Sequence, residues 1–202
     1  NENTTQHITT YHYGDAEFNH QGLGFLGFGE MTSTDQSTGI QTTVSYSQDT
    51  GNHTQGMPIG TVTTKSDGTI LNSQATTLAV KAFGNGQVNG TYYFPYASET
   101  VETGYDFNHG AKLSIKTTTT QMDEEGNPTD IQEVDQDSSG TYSLETHNTV
   151  ANHTDNGHWW LGEITQTQVT ATSAPATGGS ATGRSPTGGS PSRITRTSSF
   201  TY

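Results

Sequence analysis

The run Gly22-Leu23-Gly24-Phe25-Leu26-Gly27-Phe28 sets three glycines among four large apolar side chains. Each glycine costs about 1 kcal/mol relative to alanine inside a helix, so this spacing argues for extended chain. A strand with a bulge, or a close backbone approach, fits the pattern. The surrounding sequence is mostly Thr, Ser, Gln, Asn and Asp, and the run is therefore expected to be the buried anchor of a β structure. A glycine-rich phosphate cradle is the competing chemistry. It is disfavoured because neither a lysine nor a helix start follows the glycines.

On either side of this run the chain alternates with period two. Tyr11 and Tyr13 fall on one face of a strand and His12 on the other. Ile40, Thr42, Val44 and Tyr46 alternate with Gln41, Thr43, Ser45 and Ser47, the signature of a half-buried strand after a turn at residues 35–39. Ser66-Asp67-Gly68 separates two short strand-like runs, and an Asp-Gly pair there predicts a tight hairpin turn with positive φ at the glycine. A strand beginning near Leu78 is expected to end at Gly84-Asn85-Gly86. Tyr92, Phe94 and Tyr96 form an aromatic stripe interrupted by Pro95, which places this strand at an edge. Such a stripe is either cross-strand packing or a platform on which a sugar or peptide stacks.

From residue 101 onward, turns at 105–110, 123–128 and 137–140 separate strands expected at 113–122, 129–136 and from 141. Asn156-Gly157-His158-Trp159-Trp160-Leu161-Gly162 is a second aromatic and glycine cluster, followed by a polar strand at 164–172. Residues 173–192 are almost wholly Ala, Thr, Gly, Ser and Pro and read as a flexible loop, with strand character resuming at 194–202. Helix signals are missing throughout. The expected fold is all-β, an extended antiparallel meander with weak internal repetition.

Composition narrows the function. Only 27% of the 202 residues are hydrophobic, too few for a thick core but enough for thin sheets. The net charge of −13 argues against nucleic acid, since all three arginines lie in the last twenty residues and only Lys65, Lys81, Lys112 and Lys116 precede them. There is no cysteine, hence neither disulfides nor thiolate metal sites. No apolar run approaches the ~20 residues of a membrane-spanning helix. The abrupt start at Asn1 and the strand-like ending suggest a single β-rich segment, residues 1–202, taken from a longer protein.

Signals for chemistry are weak. Asp135-x-Asp137-x-Ser139-Gly140 resembles the start of a calcium loop, but Thr146 stands where the closing glutamate belongs, and a strand-flanked turn is the plainer reading. Asp123-Glu124-Glu125 near Asp130 is a comparable cation candidate, and His153 and His158 flank Asp155 without a metal-ligand spacing. No nucleophile elbow is present. Asn3, Asn52, Asn89 and Asn152 match the glycosylation pattern, as is expected by chance in so Thr-rich a chain. Neither an enzyme nor a cofactor is expected.

Tyr11-x-Tyr13, the glycine run, Thr38-Gly39 and Tyr46-Ser47-Gln48 together resemble Rhs/YD-repeat proteins. The likeness is to the SpvB-like and insecticidal toxin complex B-component group, with Leu23 in the place of an arginine. Tyr105-Asp106-x-x-x-Gly110 and Asp123-x-x-Gly126-Asn127-Pro128 look like degenerate YD-repeat cores, and Trp160-Leu161-Gly162 is similar to a recurrent element there. The resemblance covers residues 8–202. It implies a non-catalytic β wall that joins other segments of the same polypeptide to enclose a C-terminal toxin, in a secreted or bacterial cell-surface protein. Its structural anchors would be Gly22, Gly24, Phe25, Leu26, Gly27 and Phe28 with Trp160, Leu161 and Gly162. The alternative is an adhesin-like or carbohydrate-binding module that contacts a glycan or receptor through Tyr92, Phe94, Tyr96, Trp159 and Trp160.

Overall fold

A computed structural model describes residues 7–83, 92–153, 160–176 and 191–201. Eleven strands follow one another: β1 (Thr9–Asn19), β2 (Gly24–Asp35), β3 (Gln41–Tyr46), β4 (Pro58–Thr64), β5 (Ile70–Phe83), β6 (Tyr92–Tyr105), β7 (Lys112–Met122), β8 (Pro128–Asp137), β9 (Gly140–His153), β10 (Trp160–Pro175) and β11 (Ser192–Ser199). They form one open sheet in sequence order, every neighbour antiparallel. Among the described residues there is no helix. At about 4.8 Å per strand gap, the sheet is roughly 48 Å wide.

Aspartates make the turns. At one end of the sheet, Asp35 Oδ1 accepts from the Ser37 N–H and hydroxyl, and Asp67 Oδ1 from Thr69 N–H. Asp106 Oδ1 takes the N–H groups of Asn108 and His109, and Asp137 Oδ1 those of Ser139 and Gly140. Each side chain replaces a backbone bond that the reversing chain gives up. Residues 35–39 and 106–110 close in the same way, with the glycine N–H donated to the aspartate carbonyl and the glycine at φ +69° and +65°. Gly68, the glycine of the predicted Asp-Gly turn, sits at φ +85°.

Threonine makes the ladder. Branched Cβ atoms suit the pleat, and facing hydroxyls bond across strands, as in Thr32–Thr43 at 2.9 Å, Thr42–Thr63 at 3.2 Å and Thr170–Thr195 at 3.1 Å. From β4 to β8 the register puts Val62, Ala75, Val101, Ile115 and Val134 on one face. The other face there is polar, with Glu102, Lys116 and Asp135 in one cross-strand row and Lys116 paired to Glu133 at 2.8 Å.

No second layer covers either face among the described residues. Among the described residues no hydrophobic side chain is buried; the buried ones are Thr54, Thr103, Asn148 and Thr170. The chain exposes 13973 Å². A compact protein of this mass would expose about 9200 Å². This overturns the expectation of a buried anchor in the glycine run. Leu23 is 59% and Phe25 56% exposed, and Phe28 is also exposed, because a one-layer sheet gives them nothing to pack beneath. The 173–192 loop is shorter than its composition suggests, since Ser173 pairs with Ser192 and β10 runs on to Pro175. Residues 177–190 lie outside the described residues.

Candidate functional site

At the other end of the sheet the hairpins differ in reach. The last ladder pairs toward that end are Glu30–Ser45 between β2 and β3, Ala75–Gly60 between β5 and β4, Glu99–Thr119 between β6 and β7, and His147–Asp130 between β9 and β8. The hairpins β1–β2, β5–β6 and β9–β10 therefore project as two-stranded arms past the shorter hairpins between them. The capped turns at the opposite end recur with the same period, Asp106 standing 71 residues after Asp35 and Asp137 standing 70 after Asp67. The internal repeat is thus four strands: a long arm, then a short hairpin.

The short hairpins brace the arms, which as isolated two-stranded ribbons would be marginal. The β3–β4 loop is fastened by Ser47 and Thr54 hydroxyls at 2.7 Å and by Asp49, whose carboxylate accepts from Asn52 N–H and Nδ2. From this loop Gln48 Nε2 donates to the Asp15 carbonyl of the first arm at 2.7 Å, and His53 stacks on Tyr93 of the second at 4.0 Å. The β7–β8 turn braces the third arm. Asn152 Nδ2 donates to Asp123 Oδ2 and Glu125 Oε2, while Asn152 Oδ1 accepts from Asn127 Nδ2 and from Gly162 N–H at 2.9 Å. Burial pushes the Asp123 pKa up, but the donated hydrogen bonds of Asn127 and Asn152 outweigh it and hold the carboxyl below its usual range.

The arms carry the residues singled out in the sequence. On the first, Gly24 (φ +75°) and Gly27 (φ +96°) turn the backbone so that Tyr13, Phe28 and Phe25 meet as an open aromatic cluster, centroids 5.0 and 5.4 Å apart. On the second, Tyr92 and Phe94 are exposed and Tyr96 half-buried, with the Phe94 and Tyr96 rings nearly parallel at 17° and 6.3 Å. β6 lies inside the sheet and not at its edge, but Pro95 sits where β6 has passed the end of its β7 ladder, so it takes no partner from that side. Trp160, Leu161 and Gly162 open β10 on the third arm. Trp159, His158 and Asp155 lie outside the described residues.

The cation candidates do not assemble. Asp137 is spent on its turn, where the Ser139 hydroxyl and N–H lower its pKa, and Asp135 lies in the row with Lys116. The shallow groove beside them, about 420 Å³, is lined by Asp135, Asp137, Tyr142, Ser173 and Pro175. Among the described residues no three metal-ligating side chains converge. Asp130 instead accepts from His147 across the β8–β9 ladder at 2.6 Å. The braces themselves were missed in the sequence. Gln48, Asn127 and Asn152 look like ordinary polar residues there, and only the recurrence of the Asp35 turn at Asp106 could have pointed to a repeat that needs them.

No protein-family model matches the chain, and no curated protein matches it significantly. Solved structures do. TcdB2-TccC3 aligns with a TM-score of 0.68 at 11% identity, over 82% of this chain and 12% of that one. The chain has the fold of a segment of that protein. The Photorhabdus luminescens Tc holotoxin pore aligns at TM-score 0.69 and 10% identity, over 84% of this chain and 12% of its own. TcdB2-TccC3 without its hypervariable C-terminal region aligns equally well, at 0.69 over 82% of this chain, so the likeness lies outside that region. At such identity the likeness is one of fold. It bears out the resemblance to Rhs/YD-repeat toxin-complex proteins at that level, and the chain spans about 12% of the length of the chains it matches.

Proposed function

We propose that this chain is a non-catalytic strip of wall in a secreted toxin-complex protein, joining other segments of its own polypeptide around an enclosed C-terminal toxin. The observation that carries this reading is the one-layer open sheet, alike over 82% of its length to TcdB2-TccC3. A wall needs width without thickness, and the ladder of Thr pairs with capped turns supplies it. Among the described residues neither outer strand, β1 or β11, has a ladder partner on its outer side, and β11 is exposed along its whole length. An edge of that kind is made to be continued. The anchors Gly24, Gly27 and Gly162 would fix the arms, and the open cluster of Tyr13, Phe25 and Phe28 on the first arm would be covered by neighbouring wall.

The test is to express the full reading frame that contains this sequence and image the product by electron cryomicroscopy. A hollow shell with this strip in its wall is the expected result. A solid domain, or this strip standing free as an appendage, would overturn the reading.

A further inference from the structure

We propose that the β5–β6 arm carries a binding platform for extended, uncharged polysaccharide, formed by Tyr92, Phe94 and Tyr96 with Lys81 beside them. The proposal stands on the arm's own geometry and is independent of whether the strip belongs to a shell.

The two faces of this arm are built differently. On the back, His53 stacks on Tyr93, and Ile59, Leu78 and Val80 line the space between the β3–β4 loop and the sheet. That face is steadied by a loop whose own polar groups are satisfied, with Thr54 4% exposed, although Tyr93 itself stays 49% exposed. On the front, strand alternation lines up Tyr92, Phe94 and Tyr96. Their Cα positions span about 13 Å at ~3.3 Å per residue. Neither β4 nor β7 pairs with the arm at this height, so in the described ladder the row is flanked by β5 alone. Tyr92 is 60% and Phe94 43% exposed.

A row of rings on one strand face, two of them nearly parallel, presents aromatic surface at regular steps to whatever lies along it. An extended sugar chain offers matching chemistry: apolar C–H faces at each ring and hydroxyls at the margins. Tyr92 and Tyr96 carry phenolic hydroxyls that can donate or accept, and Lys81, the ladder partner of Phe94, carries an ammonium that can donate to sugar oxygens. An anionic polymer is disfavoured, because the chain carries a net charge of −13 that repels it.

The test is native affinity electrophoresis of the whole chain in gels with and without hydroxyethylcellulose, with heparin gels in parallel. Retardation by hydroxyethylcellulose is expected, weakened at least tenfold in Phe94→Leu/Tyr96→Leu, which keeps apolar bulk but removes the rings. Circular dichroism establishes that this variant retains its strands, and Phe94→Tyr/Tyr96→Phe should restore retardation. Unretarded migration of the wild-type chain, equal retardation of the ring-less variant, or retardation by heparin alone would each overturn the proposal.

Discussion

Gly162 stands at φ +81°, and a Cβ there would come within 2.8 Å of Asn127 Oδ1. Gly56 has nearly the same φ, +80°, with open space around it. The pair separates conformational strain from a blocked brace. Gly56→Ala should cost about 1 kcal/mol, the penalty of a left-handed L-residue, and Gly162→Ala about 2 kcal/mol or more, read by chemical denaturation. Equal losses would show that Asn127 yields. Asp67 makes a second residue-scale case. Thr69 N–H, donated to its carboxylate at 2.9 Å, is the main cause that holds its pKa down to about 2, with Lys65 assisting. A depressed carboxyl pKa means that the folded chain binds fewer protons than the unfolded one, so this turn's contribution is full above pH ~4 and is lost toward pH 2. The Thr69 amide shift should titrate with a midpoint near 2. A midpoint near 4 would mean that the bond is absent in solution.

The arms show what could and could not be foreseen. Period-two alternation and Asp, Gly and Asn punctuation placed β3 and β7–β10 within a few residues, because those signals are local. The anchor run was recognised as special but given the wrong surroundings. Apolar residues usually imply burial, and only the absence of a second layer, a property of the whole sheet, reverses that inference. The braces were illegible for a related reason, since Asn152 meets Asp123 across 29 positions of chain. Asn152→Ala removes four hydrogen bonds at once, including the one from Gly162 N–H. It should cost about 1–3 kcal/mol locally. Hydrogen exchange should quicken in residues 148–152 and 162–165 while the amides of β4 and β5 keep their rates. A uniform rise across the sheet would mean that the arms are not separate units of stability.

For the molecule as a whole, a one-layer sheet should unfold with a small heat-capacity change. A globular chain of this length would give about 2.4–3.0 kcal/mol/K, at ~12–15 cal/mol/K per residue. Here much of the apolar surface is already wet, so calorimetry should return a clearly lower value. A result within the globular range would reveal a hidden covering layer or self-association. Such a sheet draws its stability from neighbour-to-neighbour pairing, and residues far apart along its width have little influence on one another.

The four-strand repeat has an evolutionary corollary. Lengthening this protein by one unit adds about 19 Å of breadth, at ~4.8 Å per strand, and brings each new arm together with the loop that props it. Losing a single hairpin would leave an arm unsupported. Gene duplication and deletion should therefore have proceeded in steps of roughly seventy codons, and breadth in this lineage should change by quanta instead of drifting.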